Sequence, residues 1–157
     1  MKSVLISIKP KWCELIASGK KTIEIRKTRP KIETPFKVYI YQTLSRHGEH
    51  NDKGGKVIGE FICDEIEEFT ADYRTDTEKI ESIADLACVE MSEVMEYGYF
   101  SDFLLAWHIS DRKIYDKPKA LSAFSKPQAT RFITQPKKIK RPPQSWYYVE
   151  SLQEVEK

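Results

Sequence analysis

No apolar run in this sequence approaches the ~18 residues that a membrane-crossing helix requires, so a transmembrane protein is excluded. The N-terminal stretch Met1-Lys2-Ser3-Val4-Leu5-Ile6-Ser7-Ile8 lacks both an apolar h-region and a small-residue cleavage site. Export is therefore not expected, and cytoplasmic residence is. Cysteine is scarce: Cys13, Cys63 and Cys88 are odd in number, widely spaced and free of any C-x-x-C. That spacing argues against a disulfide framework and reads as buried thiols of a reducing compartment. Neither G-x-x-x-x-G-K-[ST] nor G-x-G-x-x-G occurs, so triphosphate and dinucleotide chemistry has no support and no cofactor is expected. What remains is 157 residues, 40% hydrophobic and 32% charged, which suits one soluble globular domain over residues 1–157 and argues against disorder.

The net charge of +2 conceals strong segregation. Residues 1–59 hold thirteen Lys/Arg against five Asp/Glu, residues 60–102 hold two against fourteen, and residues 112–141 hold ten against Asp116 alone. If the two basic segments share a face, counterion release would recruit a polyanion, most commonly nucleic acid. Alternatively, the acidic middle neutralises the basic ends within the fold.

Alternation and β-branching predict a strand over Ser3–Ile8, ended by Lys9-Pro10. Pro10 suits a first helical turn, Trp12, Leu15 and Ile16 recur at helical spacing, and Gly19 falls where a left-handed residue stops the helix. Thr22–Arg26 alternates strictly, with Thr22, Glu24 and Arg26 on one face. Further strands are predicted at 36–43, at 56–68 with Gly59 marking a bulge or close approach, within 104–115 (around Trp107-His108-Ile109, with a second stretch at 113–115), and at 146–150. Acidic helices are expected near 77–88 and 92–97, the second stopped by Gly98, or else one broken helix over the same stretch. Lys117-Pro118 should end its strand, 121–124 should form a short helical turn, and the proline-bearing 125–145 should run extended on the surface. The sum is an α+β domain of about six short strands with a curled or closed sheet.

The sharpest local feature is Gly19-Lys20-Lys21-Thr22-Ile23-Glu24-Ile25-Arg26, where a helix end and a strand start bring Lys21, Glu24 and Arg26 together. Lining a cavity, Arg26 would grip phosphate or a carbonyl, and Glu24 would accept from a base N–H or move a proton. The competing reading is the solvated outer face of an edge strand. His47-Gly48-Glu49-His50 offers too few preorganised ligands for a metal, and no metal site is expected. His108 reads as a partly buried, hydrogen-bonded strand residue and Trp107 as core. Trp12 and Trp146 suit stacking and packing equally.

The run Ser7-Ile8-Lys9-Pro10-Lys11-Trp12, then Leu15-Ile16, then Gly19-x-Lys21-x-x-Glu24-x-Arg26 resembles the ASCH domain of the PUA-like superfamily. Residues 55–61, Trp107-His108-Ile109 and Pro143-Gln144-Ser145-Trp146 look like its bacterial and phage members. The resemblance implies a small β-barrel with flanking helices, a cleft lined by Lys21, Glu24 and Arg26, and RNA as the ligand class. One branch of that family deacylates modified cytidine with a Lys and a Thr nucleophile. Glu24 stands at the position aligned with that Thr, and Thr22 does not replace it, so a threonine mechanism has no support.

The expected function is binding of RNA or a nucleotide-like ligand by Lys21, Glu24 and Arg26, with Lys9, Trp12, Gln144, Ser145 and Trp146 as rim. Two alternatives stay open. One is a hydrolase of RNA phosphodiesters or amidated nucleosides, with Glu24 as general base and Lys21 stabilising negative charge. The other is a protein-interaction module using the acidic helices at 76–97.

Overall fold

The computed structural model describes residues 1–45, 54–72, 74–128 and 135–154. In chain order it contains β1 (Lys2–Ile8), α1 (Pro10–Ala17), β2 (Ile23–Arg26), β3 (Phe36–Gln42), β4 (Lys56–Phe69), α2 (Thr77–Ala87), α3 (Met91–Tyr97), β5 (Leu104–Lys119) and β6 (Trp146–Glu150), with a 3₁₀ turn at Leu121–Ala123. The hydrogen-bonded strand order is β2-β5-β4-β3-β1-β6. β1 lies parallel to β3 and antiparallel to β6, and β2 is antiparallel to β5, so the sheet is mixed. This bears out an α+β class with six strands. The order has two ends, β2 and β6, rather than the closed ring that a barrel needs. No helix among the described residues is long and apolar enough to cross a membrane.

By internal packing the chain divides into two compact units. The first comprises Met1–Cys13, Lys37–Phe61 and Lys113–Lys157. Its core joins Leu5, Tyr39, Val57, Phe124, Ile139 and Val149, with Tyr39 and Phe124 edge to face at 4.9 Å. Phe124 and Ile139 are buried, which corrects the reading of 125–145 as a purely surface segment. A backbone bond from Ile139 N to Phe124 O and a bridge between Ser125 and Lys138 pin this stretch to the core. Gly59 is a close approach, as expected: a Cβ there would lie 2.4 Å from the Lys113 carbonyl oxygen. Because that neighbour is backbone, Gly59→Ala should lower stability by about 1–3 kcal/mol. A urea titration with an unchanged midpoint would refute it.

The second unit comprises Glu14–Phe36 and Ile62–Arg112. Ile80, Ile83, Ala84 and Ala87 of α2 and Val94 of α3 pack on Ile23, Phe69, Leu104 and Ala106. Asp76 caps α2 by accepting from Lys79 N at 3.1 Å, and Cys88 ends it in the left-handed region. Trp107 is fully buried, edge to face with Phe36 at 5.8 Å, so it is core.

The two stretches within 104–115 lie on one strand of 16 residues, which includes Asp111 at φ +44°. Its end is a correction: the strand runs on through Lys117-Pro118, since proline only forfeits an N–H and is tolerated where the ladder needs none. The thiols are free; Cys13 and Cys63 are buried and Cys88 partly so. Burial pushes the Cys63 thiol up to about 12, which leaves it unreactive.

Candidate functional site

α1 stops where expected. Gly19 has φ +82°, a conformation glycine adopts at little cost. The missing side chain also makes room: a Cβ would fall 2.8 Å from the Arg112 guanidinium, whose Nε donates to Ala17 O at 3.2 Å. The chain leaving this turn is stitched to the end of α2. Thr22 N donates to Leu86 O at 2.9 Å, and Lys21 Nζ donates to Ala87 O at 2.6 Å. α2 has no basic residue in its own last turn, so Lys21 supplies the cation that its C-terminal carbonyls favour.

Lys21 is 3% exposed and Glu24 7%. Glu24 Oε2 lies 3.3 Å from Lys21 Nζ, while Glu24 Oε1 accepts from Arg26 Nε and Nη2 at 3.0 Å each. The motif is thus a line of three charges, cation-anion-cation, with the anion fully engaged. Edge strand β2 is not a solvated outer face: burial on both sides overturns that alternative, although Arg26 keeps partial access to solvent. The spacing brought the three residues together as expected. It gave no sign of the carbonyl that Lys21 meets, because Ala87 is 66 residues away.

Tyr97 at the end of α3 was not foreseen. Burial pushes its phenol above the ordinary range, opposed by the Arg26 guanidinium and reinforced by Glu24. The Lys27 ammonium sits 4.6 Å from its ring centroid. Only the aromatic ending of a short acidic helix, ahead of Gly98, could have flagged it.

The rim residues Lys9, Trp12, Gln144, Ser145 and Trp146 belong to the first unit, whereas Lys21, Glu24 and Arg26 belong to the second. Within the first unit, Ser7 N donates to Ser145 O at 3.0 Å, Ser7 Oγ donates to Pro143 O, and Trp146 pairs with Ile6. Residues 143–146 therefore adjoin the end of β1 that leads to Lys9. Trp12 and Trp146 are half-buried; Trp146 stands edge to face with Tyr148 at 5.5 Å, and Lys11 Nζ lies over Trp12 at 4.4 Å.

The first unit also carries a basic groove of about 290 Å³, lined by Lys126, Lys137, Lys138, Lys140, Arg141 and Tyr147. A second groove, of about 440 Å³, shares Lys126 and Tyr147 and adds Lys2 and Tyr148. None of the five cations pairs with a carboxylate among the described residues. The Tyr147 hydroxyl donates to Arg141 O, and burial pushes that phenol up to about 12, so it remains a neutral donor.

His108 is hydrogen-bonded, as expected: Nε2 lies 2.7 Å from Glu67 Oε1, with Glu65 close by. These three groups could hold a cation, but Glu67 already pairs with His108 and lies 3.8 Å from Lys79 Nζ. His47, Glu49, His50 and Arg131 lie outside the described residues.

The ASCH domain profile matches residues 6–153, nearly the whole chain. This protein belongs to the ASCH domain family. The ASCH protein of Zymomonas mobilis is similar in fold, with a TM-score of 0.66 at 21% identity over 94% of this chain and 87% of that one. Two mutants of the same protein give 0.67 at 20% identity, covering 94% and 88%, and 0.64 at 20%, covering 96% and 91%. Identities this low establish a shared fold and nothing further. Comparison with curated proteins gives no match. Placed on this ASCH domain, Gly19, Lys21, Glu24 and Arg26 are the turn, clamp and charge line described above.

Proposed function

We propose that this ASCH domain is a cytoplasmic RNA-binding module, and the observation that carries the reading is the basic groove. Five cations without carboxylate partners among the described residues line one concave surface beside Tyr147. Such a surface attracts a phosphate chain through counterion release and adds a ring on which a base can stack. Phosphate contacts of this kind set affinity; base choice requires a second set of groups. In the second unit Arg26, the most accessible member of the charge line, offers a guanidinium that Glu24 fixes in place for a base or phosphate contact of its own. Lys9, Trp12, Gln144, Ser145 and Trp146 supply a further polar and aromatic surface in the first unit.

Geometry favours binding over hydrolysis. A general base must reach the proton it takes, whereas Glu24 is 7% exposed and flanked by the Lys21 and Arg26 cations. The test pairs an RNA titration with a cleavage assay on short single strands and acylated nucleosides. Arg26→Ala should weaken RNA binding by about tenfold or more, because a charge-assisted contact is lost. Glu24→Gln should shift ligand preference with no turnover to abolish. Robust cleavage by the wild type that falls on the order of a hundredfold in Glu24→Gln would establish the hydrolase instead.

A further inference from the structure

We propose that the Tyr97–Phe103 turn is a docking surface for an arginine- or lysine-rich segment of a partner protein. This inference is independent of RNA binding. Four of its seven residues are aromatic, and three of them face water: Phe100 is 95% exposed, Tyr99 77% and Phe103 47%, while Tyr97, at 40%, already carries Lys27 over its ring. Large rings held this far out on a folded surface are what binding anchors look like before a partner covers them.

The turn is built to hold them there. Gly98 N donates to Val94 O at 2.9 Å, Tyr99 N to Glu96 O at 3.3 Å and Ser101 N to Gly98 O at 3.0 Å. Gly98 itself is wedged into the second unit: a Cβ there would lie 2.6 Å from Ala71 Cβ and 2.9 Å from Leu104 Cδ1. Tyr99 and Phe100 meet edge to face, with ring centroids 4.8 Å apart. Anchors fixed in advance lose little conformational entropy when a ligand arrives. Beside Tyr99 a groove of about 320 Å³ runs past Ala71, Met95 and Asp102; the one cation lining it, Arg74, is paired with Asp72 at 3.0 Å, which leaves Asp102 to meet an incoming cation.

Charge selects the occupant. Residues 90–102 carry Glu90, Glu93, Glu96 and Asp102 and not one Lys or Arg. A phosphate chain would be repelled, whereas a basic peptide gains both long-range attraction and ring contacts. The chemistry is already practised in the same unit, where Lys27 Nζ sits over the Tyr97 ring.

The experiment is fluorescence anisotropy with the full chain and a short labelled Arg-Gly-Gly repeat peptide, beside a Ser-Gly-Gly peptide of equal length. Saturable micromolar binding of the arginine peptide alone is expected, weakening as salt rises. Phe100→Ser and Tyr99→Ser should each reduce affinity by about fivefold or more, and Glu96→Gln with Asp102→Asn by about threefold. Leu44→Ser, which removes another exposed apolar side chain, should change nothing. Thermal melts should be unaltered, since the substituted rings bury so little. Equal binding of both peptides, or arginine-peptide binding indifferent to Phe100 and Tyr99, overturns the proposal. So does a dimer in sedimentation that Phe100→Ser dissociates, or loss of RNA binding in that variant; these would assign the surface to a second copy or to nucleic acid.

Discussion

Lys21→Ala is expected to remove about 3–5 kcal/mol of folding stability, as much as truncating a large core side chain. The ammonium is 3% exposed and serves two partners at once, the Ala87 carbonyl and the Glu24 carboxylate. Its loss leaves a buried anion with one cation in place of two, and a helix end without the group that satisfied it. For a domain of this size that corresponds to a melting point lower by roughly 10 °C or more. The double variant Lys21→Met with Glu24→Gln should recover part of the loss, because the buried charge goes with its partner. A double-mutant cycle by thermal denaturation measures this coupling. A Lys21→Ala melting point within about 2 °C of wild type would show that the charge line is peripheral to the fold.

Neutralising Lys137, Lys138 and Lys140 together should reduce affinity for single-stranded RNA on the order of a hundredfold at low salt. It should also flatten the dependence of log K on log salt by about 2 units, since each single-strand phosphate contact contributes roughly 0.7. All three line the basic groove and none has a carboxylate partner among the described residues, so their removal leaves no buried charge behind. Circular dichroism should therefore match wild type. An unchanged salt slope in a folded triple variant removes this groove from the interface.

Much of this architecture could be read from local chemistry. Pro10 and Gly19 bracket α1, β-branched and aromatic runs mark β1 and β3, and the apolar spacing of Ile80, Ile83, Ala84 and Ala87 selects the buried side of α2. The i, i+2 relation of Glu24 and Arg26 held because it depends on strand geometry alone. What could not be read were relations between distant segments. Lys21 meets α2, Glu67 meets His108, and Ile139 reaches the core from a proline-rich stretch that sequence makes look superficial. Sheet closure belongs to the same class, since strand order depends on every strand at once. Pro118 misled because the rule against proline in strands concerns the ladder hydrogen bond, which not every position must make.

The pairing of β1 with β6 has a bearing on how this domain is made. Ser3 faces Val149 and Leu5 faces Tyr147, so β1 waits for a partner strand that is translated long after it. Until then Val4, Leu5 and Ile6, all inaccessible in the finished protein, sit on a strand with one side unpaired. A nascent chain stalled before residue 146 is thus an adhesive intermediate, and holdase chaperones should engage it until translation resumes.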